Sequence, residues 1–220
     1  MGLNTKNKAG INGFTRIPDY SGAGGVWNLK MHQIEMSYKS WPDTVLWEAD
    51  NNNPLSGWST NGISVNNSIG YPTAPSIQVT GNGQYGHYEP IANEDLFYKT
   101  ISFRCYVTNG AINVHFHCAT NGQGPFIKLD SRAGSSYTGI MYANSWGNYQ
   151  KEPLYGPKVA LNTWVQVKIR MYASSRCGWF TSGEFRDIFP FQSNGNRIAV
   201  SSFNGGTGYI DNLEIYRGHP

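Results

Sequence analysis

From Asp43 onward, apolar and polar side chains alternate with a period of two in short runs, and clusters of Gly, Asn, Pro and Ser separate the runs. This alternation constrains the fold more than any other feature, because successive side chains of a strand point to opposite faces of its sheet. The runs are 44–48, 62–66, 75–80, 98–107, 111–118, 125–130, 137–142, 164–172, 196–202 and 208–216. No helical pattern of about 10–15 residues lies between them, so a parallel sheet with crossover helices is disfavoured, and an all-β antiparallel β-sandwich of the jelly-roll kind is expected over residues 43–220. The turns have their residues to hand: 26 of the 220 residues are glycine and 22 are asparagine. Charged residues make up only 14%, against roughly 25% in an average globular chain, while the 14% aromatic content supplies ample apolar surface for a core.

Within ISFRCYVTNGAINVHFHC (101–118), Asn109-Gly110 is the preferred pair for a two-residue type I′ turn and predicts a β-hairpin. In that register Ile101 faces Cys118, Phe103 faces Phe116, Cys105 faces Val114 and Val107 faces Ile112, all on an apolar face. The opposite face pairs Ser102 with His117, Arg104 with His115 and Tyr106 with Asn113, and is expected to be polar. The run WVQVKIRMY (164–172) likewise buries Val165, Val167, Ile169 and Met171 and presents Gln166, Lys168, Arg170 and Tyr172. The same register sets Cys105 and Cys118 roughly 13 Å apart along the sheet, too far for a disulfide. With Cys177 they make an odd count without zinc spacing, and reduced thiols in a chain that folds inside a cell are expected.

Residues 1–42 read differently. Met1–Tyr20 is polar and without apolar periodicity, an extended arm. Trp27, Met31, Ile34 and Tyr38 then recur at helical spacing, and Trp41-Pro42 ends the stripe. A helix this short needs a surface, so its stripe is expected to dock against the domain or a partner.

Charge and hydropathy remove several functions. A formal net charge of +3, scattered along the chain, is too weak for a nucleic-acid grip. No apolar run is long enough for a membrane span, and MGLNTKNKAGINGF lacks the apolar core of a secretion signal, so no membrane partner is expected. Glycoside hydrolysis needs two carboxylates about 5–9.5 Å apart, and the runs 98–107, 111–118 and 164–172 carry no acid. A uronate lyase makes other demands, a base plus a cation beside the substrate carboxylate. Arg104, Tyr106, His115, His117, Lys168 and Arg170 would meet them if they shared a face; the plainer reading is a sheet face turned to water. The expectation is therefore a protein that is not an enzyme.

Sugar binding asks for aromatic platforms and a few planar hydrogen-bonding groups. Trp146, Tyr149, Tyr155 and Trp179 lie in loop-like segments, and Trp146, Tyr149 and Trp179 with Arg104, His115, His117 and Arg170 are the candidate carbohydrate-binding residues. His115-x-His117 has a spacing that zinc sites use, with His87 or a carboxylate from a loop as the third ligand needed, although Arg104 opposite His115 weighs against a cation. Asp211, near the chain end, is expected to meet the first strand, which carries Glu48 and Asp50; together these acids are a candidate site for a structural calcium, the one cofactor the sequence suggests.

Two segments resemble known proteins. SGAGGVWNLKMHQIEMSYKSWP (21–42) is similar to a short module of tailed-bacteriophage structural proteins that often precedes a β-sandwich; Val26, Trp27, Trp41 and Pro42 carry the match. LNTWVQVKI (161–169) and GGTGYIDNLEIYRG (205–218) resemble the penultimate and closing strands of lectin-like jelly rolls in carbohydrate-binding modules and concanavalin-type sandwiches. These resemblances imply a virion protein, a decoration, fibre or tail component, anchored to other virion proteins through residues 1–42 and assembled in the host cytoplasm. They also imply a homo-oligomer, with a trimer preferred, a sandwich that engages host-surface glycans, and calcium near Asp211. A free carbohydrate-binding module and a uronate lyase are the alternatives.

Overall fold

The computed structural model describes residues 44–91, 96–132, 138–146, 148–150, 159–172, 176–181, 184–190 and 195–217. The arm and helix expected over 1–42, with Val26, Trp27, Trp41 and Pro42, lie outside the described residues. Those described form strands and turns, with no helix among them.

Thirteen strands follow in chain order: β1 (Thr44–Glu48), β2 (Ser59–Asn61), β3 (Ser64–Asn66), β4 (Ser76–Thr80), β5 (Tyr85–Tyr88), β6 (Lys99–Cys118), β7 (Gly124–Asp130), β8 (Gly139–Ser145), β9 (Asn148–Gln150), β10 (Trp164–Tyr172), β11 (Arg176–Thr181), β12 (Glu184–Pro190) and β13 (Arg197–Arg217). Their ladders are antiparallel, as the alternation predicts, and link all thirteen into one curled sheet.

The predicted hairpin does not form. β6 runs unbroken for 20 residues through Asn109-Gly110 and pairs along its length with β13, from Lys99 opposite Arg217 to Cys118 opposite Arg197. Residues 196–202 and 208–216, expected as two strands, are likewise one. Gly110 sits in β6 at φ 65° and Gly205 in β13 at φ 73°, a left-handed conformation that glycine adopts at least cost. The pairing register shifts between Phe203 and Thr207, opposite this stretch of β6. A Cβ on Gly206 would overlap the Ala111 carbonyl, so the two chains touch backbone to backbone there.

At this corner both long strands pass from one layer to the other. In the first layer, residues 99–107 of β6 lie between β10 and residues 207–217 of β13, which pair in turn with β4 and β1; β11 and β12 extend beyond β10, and β3 beyond β4. In the second, residues 111–118 of β6 lie between β7 and residues 197–203 of β13; β8 and β9 extend one side, β5 and β2 the other. The apolar faces meet in one core. Ile101, Phe103, Cys105, Val107, Val167 and Ile169 come from the first layer, and Ile112, Val114, Phe116, Ile127, Leu129 and Val200 from the second. The three cysteines are free and buried, and burial pushes the Cys105 and Cys118 thiols up to about 12 and the Cys177 thiol up as well.

Candidate functional site

Every second side chain of β6, β10 and β13 in the first layer belongs to the core, so the residues between them form an outer face. The register sets these in cross-strand rows. Trp164, Tyr106, Tyr209 and Gln78 make one row, and Gln166, Arg104 and Asp211 the next. Lys168, Ser102 and Glu214 make the third, and Arg170, Thr100 and Tyr216 the fourth. Trp164, Tyr106, Arg104, Gln166, Lys168 and Arg170 are all half-buried, whereas Val167 and Ile169 between them are fully enclosed.

Over this face lies Tyr71, from the segment preceding β4. The Arg104 guanidinium stands 3.8 Å from the centre of the Tyr71 ring, a cation–π contact. Tyr71 meets Trp164 edge-on at 6.0 Å, and Tyr106 lies 5.3 Å from Trp164 and 6.0 Å from Tyr209. Asp211 fixes the loop: one of its carboxylate oxygens accepts the Tyr71 backbone N–H at 2.5 Å, and the other accepts that of Asn212 at 2.7 Å. Burial raises the Asp211 pKa, against the lowering by those two N–H groups. The result is a shallow surface of aromatic rings beside a guanidinium whose flat face is already engaged. A sugar ring, apolar on its C–H faces and polar around its rim, is complementary to such a surface.

The outer face of the second layer is built by the same strands but is closed. His115 and His117, expected on one polar face with Arg104, lie in the other layer and are fully buried. Trp146, in the turn between β8 and β9, donates its indole N–H to the Thr120 carbonyl at 3.3 Å. Its ring stacks on Tyr85 at 4.4 Å, lies nearly parallel to His87 and meets His115 edge-on at 5.1 Å. A Cβ on Gly122 would overlap that indole. Beneath it, Ser201 Oγ takes contacts from His115 Nε2 at 2.9 Å and Asn113 Nδ2 at 3.2 Å, while His115 Nδ1 and Asn113 Oδ1 are buried without a hydrogen-bond partner. Burial holds His115 down to about 3; burial and then the Lys99 charge hold His117 down to about 4. Both are neutral imidazoles in an apolar, aromatic setting: Phe126 stacks on His115, and Phe97 lies tilted against His117 at 4.7 Å.

The other candidate residues are scattered. Tyr149 lies in β9 opposite Ala143, and Trp179 in β11 opposite Ile169 and Asp187; their side chains, and all of Tyr155, lie outside the described residues. Asp50 and Asp211 line one small cleft with Asn51, Pro54, Pro75 and Asn212, and Glu48 stands opposite Glu214. Among the described residues no group of three His, Cys, Asp or Glu is close enough to hold a metal ion. Trp164 and Tyr71, which complete the platform, escape a reading that looks for sugar-stacking rings in loops. Trp164 opens a strand, and nothing local in the sequence ties Tyr71 to Arg104.

No protein family and no curated protein matches the sequence. The fold does have relatives among solved structures. The carbohydrate-binding module CBM66 from Bacillus subtilis superposes with a TM-score of 0.54 at 12% identity, over 72% of this chain and 94% of that one. The carbohydrate esterase vb_24B_21 from the Shiga toxin-encoding bacteriophage phi24B gives 0.53 at 16% identity, over 80% of this chain and 100% of that one. The botulinum neurotoxin serotype D ligand binding domain, in a complex with N-acetylneuraminic acid, gives 0.53 at 10% identity, over 80% of this chain and 48% of that one. The described domain therefore has the carbohydrate-binding-module type of β-sandwich fold; identities this low speak for the fold alone.

Proposed function

We propose that this protein is a glycan-binding, non-enzymatic component of a phage virion, displaying its sandwich outward and anchored through residues 1–42. The observation that carries the glycan reading is the half-buried platform of Tyr71, Tyr106 and Trp164 beside the stacked Arg104, on an outer sheet face. The fold likeness to a carbohydrate-binding module supports it. Binding without cleavage is supported by the removal of the two histidine bases from the cations that a lyase would pair them with. His115 and His117 are enclosed in the second layer, while Arg104, Tyr106, Lys168 and Arg170 belong to the first. The virion role is supported by the GVW…WP segment of residues 21–42.

Affinity electrophoresis of the intact chain through gels containing bacterial surface polysaccharides tests the glycan reading. At least one polysaccharide should retard the chain, and Trp164→Ala should abolish the retardation while Trp146→Ala, if folded, keeps it. Equal retardation of wild type and Trp164→Ala would overturn the site. For the anchor, a chain lacking residues 1–25 should fold but fail to enter particles; normal occupancy would refute it.

A further inference from the structure

Resting on that glycan reading, we infer that the first-layer face selects a sugar bearing a carboxylate, a uronate or a sialate, and that Arg104 is the residue that selects it. A guanidinium carries its donors in its plane and its π surface above and below that plane. In Arg104 the flat face is spent on Tyr71 at 3.8 Å, so the ring orients the side chain and leaves the edge as its means of recognising a ligand. A planar carboxylate is the partner that matches this edge with two parallel hydrogen bonds.

Three acids share the face, and two of them are already engaged. Asp211 is opposite Arg104 in the register, but its oxygens accept the backbone N–H groups of Tyr71 and Asn212. Glu214, in the next row, is hydrogen-bonded by the Tyr216 hydroxyl. Glu48, opposite Glu214 on β1, is the third acid, and Arg104, Lys168 and Arg170 equal these acids in number. Lys168 and Arg170 follow Trp164 and Gln166 along β10, with alternate residues about 7 Å apart. A saccharide lying along β10 would therefore meet rings at the Trp164 end and positive charge toward the Arg170 end. A neutral sugar would use the platform and leave the guanidinium edge to water, so the acidic sugar gains affinity that the neutral one does not.

Titration of the intact chain with oligogalacturonide, with its fully methyl-esterified counterpart and with a polysialate oligomer separates the possibilities. At least one acidic oligomer should bind ten-fold or more tighter than the ester, with an affinity that falls as salt rises. Arg104→Gln should bring the acid down to the level of the ester and leave the ester unchanged. Lys168→Gln, in a residue outside the aromatic platform, should lower acid binding by a smaller factor, and gives a second reading if Arg104→Gln does not fold. An ester that binds as tightly as every acid, or an acid preference untouched by both substitutions, would overturn the inference while the glycan reading stands. Absence of binding by all three, and by the bacterial surface polysaccharides of the electrophoresis, would overturn both.

Discussion

The two layers share their central strands, yet their outer faces differ in kind. Residues 99–107 of β6 carry Arg104 and Tyr106 on a half-open surface, and residues 111–118 of the same strand carry Asn113, His115 and His117 in a sealed one. The difference lies in what covers each face. Among the described residues a single tyrosine lies across part of the first, held by Asp211, whereas Trp146, Tyr85, Phe97 and Phe126 roof the second. A polar side chain at an outward register position is thus available to a ligand only where no neighbouring loop or strand supplies a roof.

The comparison breaks first if the corner between the layers is removed. Gly206→Ala would drive a methyl group into the Ala111 carbonyl, and a cost of about 4 kcal/mol in urea unfolding is expected, near the upper end for single substitutions. Both layers should lose stability together, since the strands that would separate run through each.

Acid acts on the sealed face through its two enclosed histidines. His115 and His117 are depressed in the folded chain to about 3 and about 4, against about 6.5 when unfolded. Below pH 6.5 the unfolded chain therefore takes up protons that the folded chain refuses, and the stability these groups contribute is present above that pH and is lost as the pH falls. The loss approaches about 1.4 kcal/mol per pH unit for each histidine, or about 4 kcal/mol for the pair by pH 5. Unfolding curves between pH 7 and pH 5 should show it, and His115→Gln should flatten the dependence by about half.

Trp146→Ala should cost about 2 kcal/mol, below the range for a fully buried tryptophan because Trp146 is half-buried. Trp164→Ala should cost about half as much, yet be the one that loses glycan. The smallest effect is kinetic. Cys105 lies in the first-layer half of β6 and Cys118 in the second, both buried, so neither should react with a thiol reagent in the folded chain. Both should become reactive at the same urea concentration, because one core joins the layers; a separate, lower midpoint for Cys118 would make the second layer an independent unit.

Much of the sandwich was legible in the sequence because alternation is local. The buried set Val165, Val167, Ile169 and Met171 is the one the pattern of WVQVKIRMY marks. The partner strands were not legible. A two-residue turn at Asn109-Gly110 and a bend there both move the apolar set from odd positions, ending at Val107, to even ones beginning at Ile112, so alternation cannot tell a hairpin from a corner. β6 finds its partner in β13, about ninety residues away, and no local signal encodes that. The imidazoles were misplaced for the same reason: what encloses His115 is Trp146 from β8–β9 and Phe126 from β7. Arg104 was legible as an outward residue of a strand; its partner Tyr71 was not, since the contacts that hold that loop over the sheet, to Asp211, Arg104 and Trp164, are all far away in sequence.

The central claim is that the open face binds and the sealed face does not, and NMR of the indole N–H signals tests it directly. On titration with the acidic oligomer that binds best, the Trp164 signal should shift progressively while that of Trp146 stays in place. Movement of Trp146 with Trp164 unmoved would put the ligand on the second layer and contradict the account.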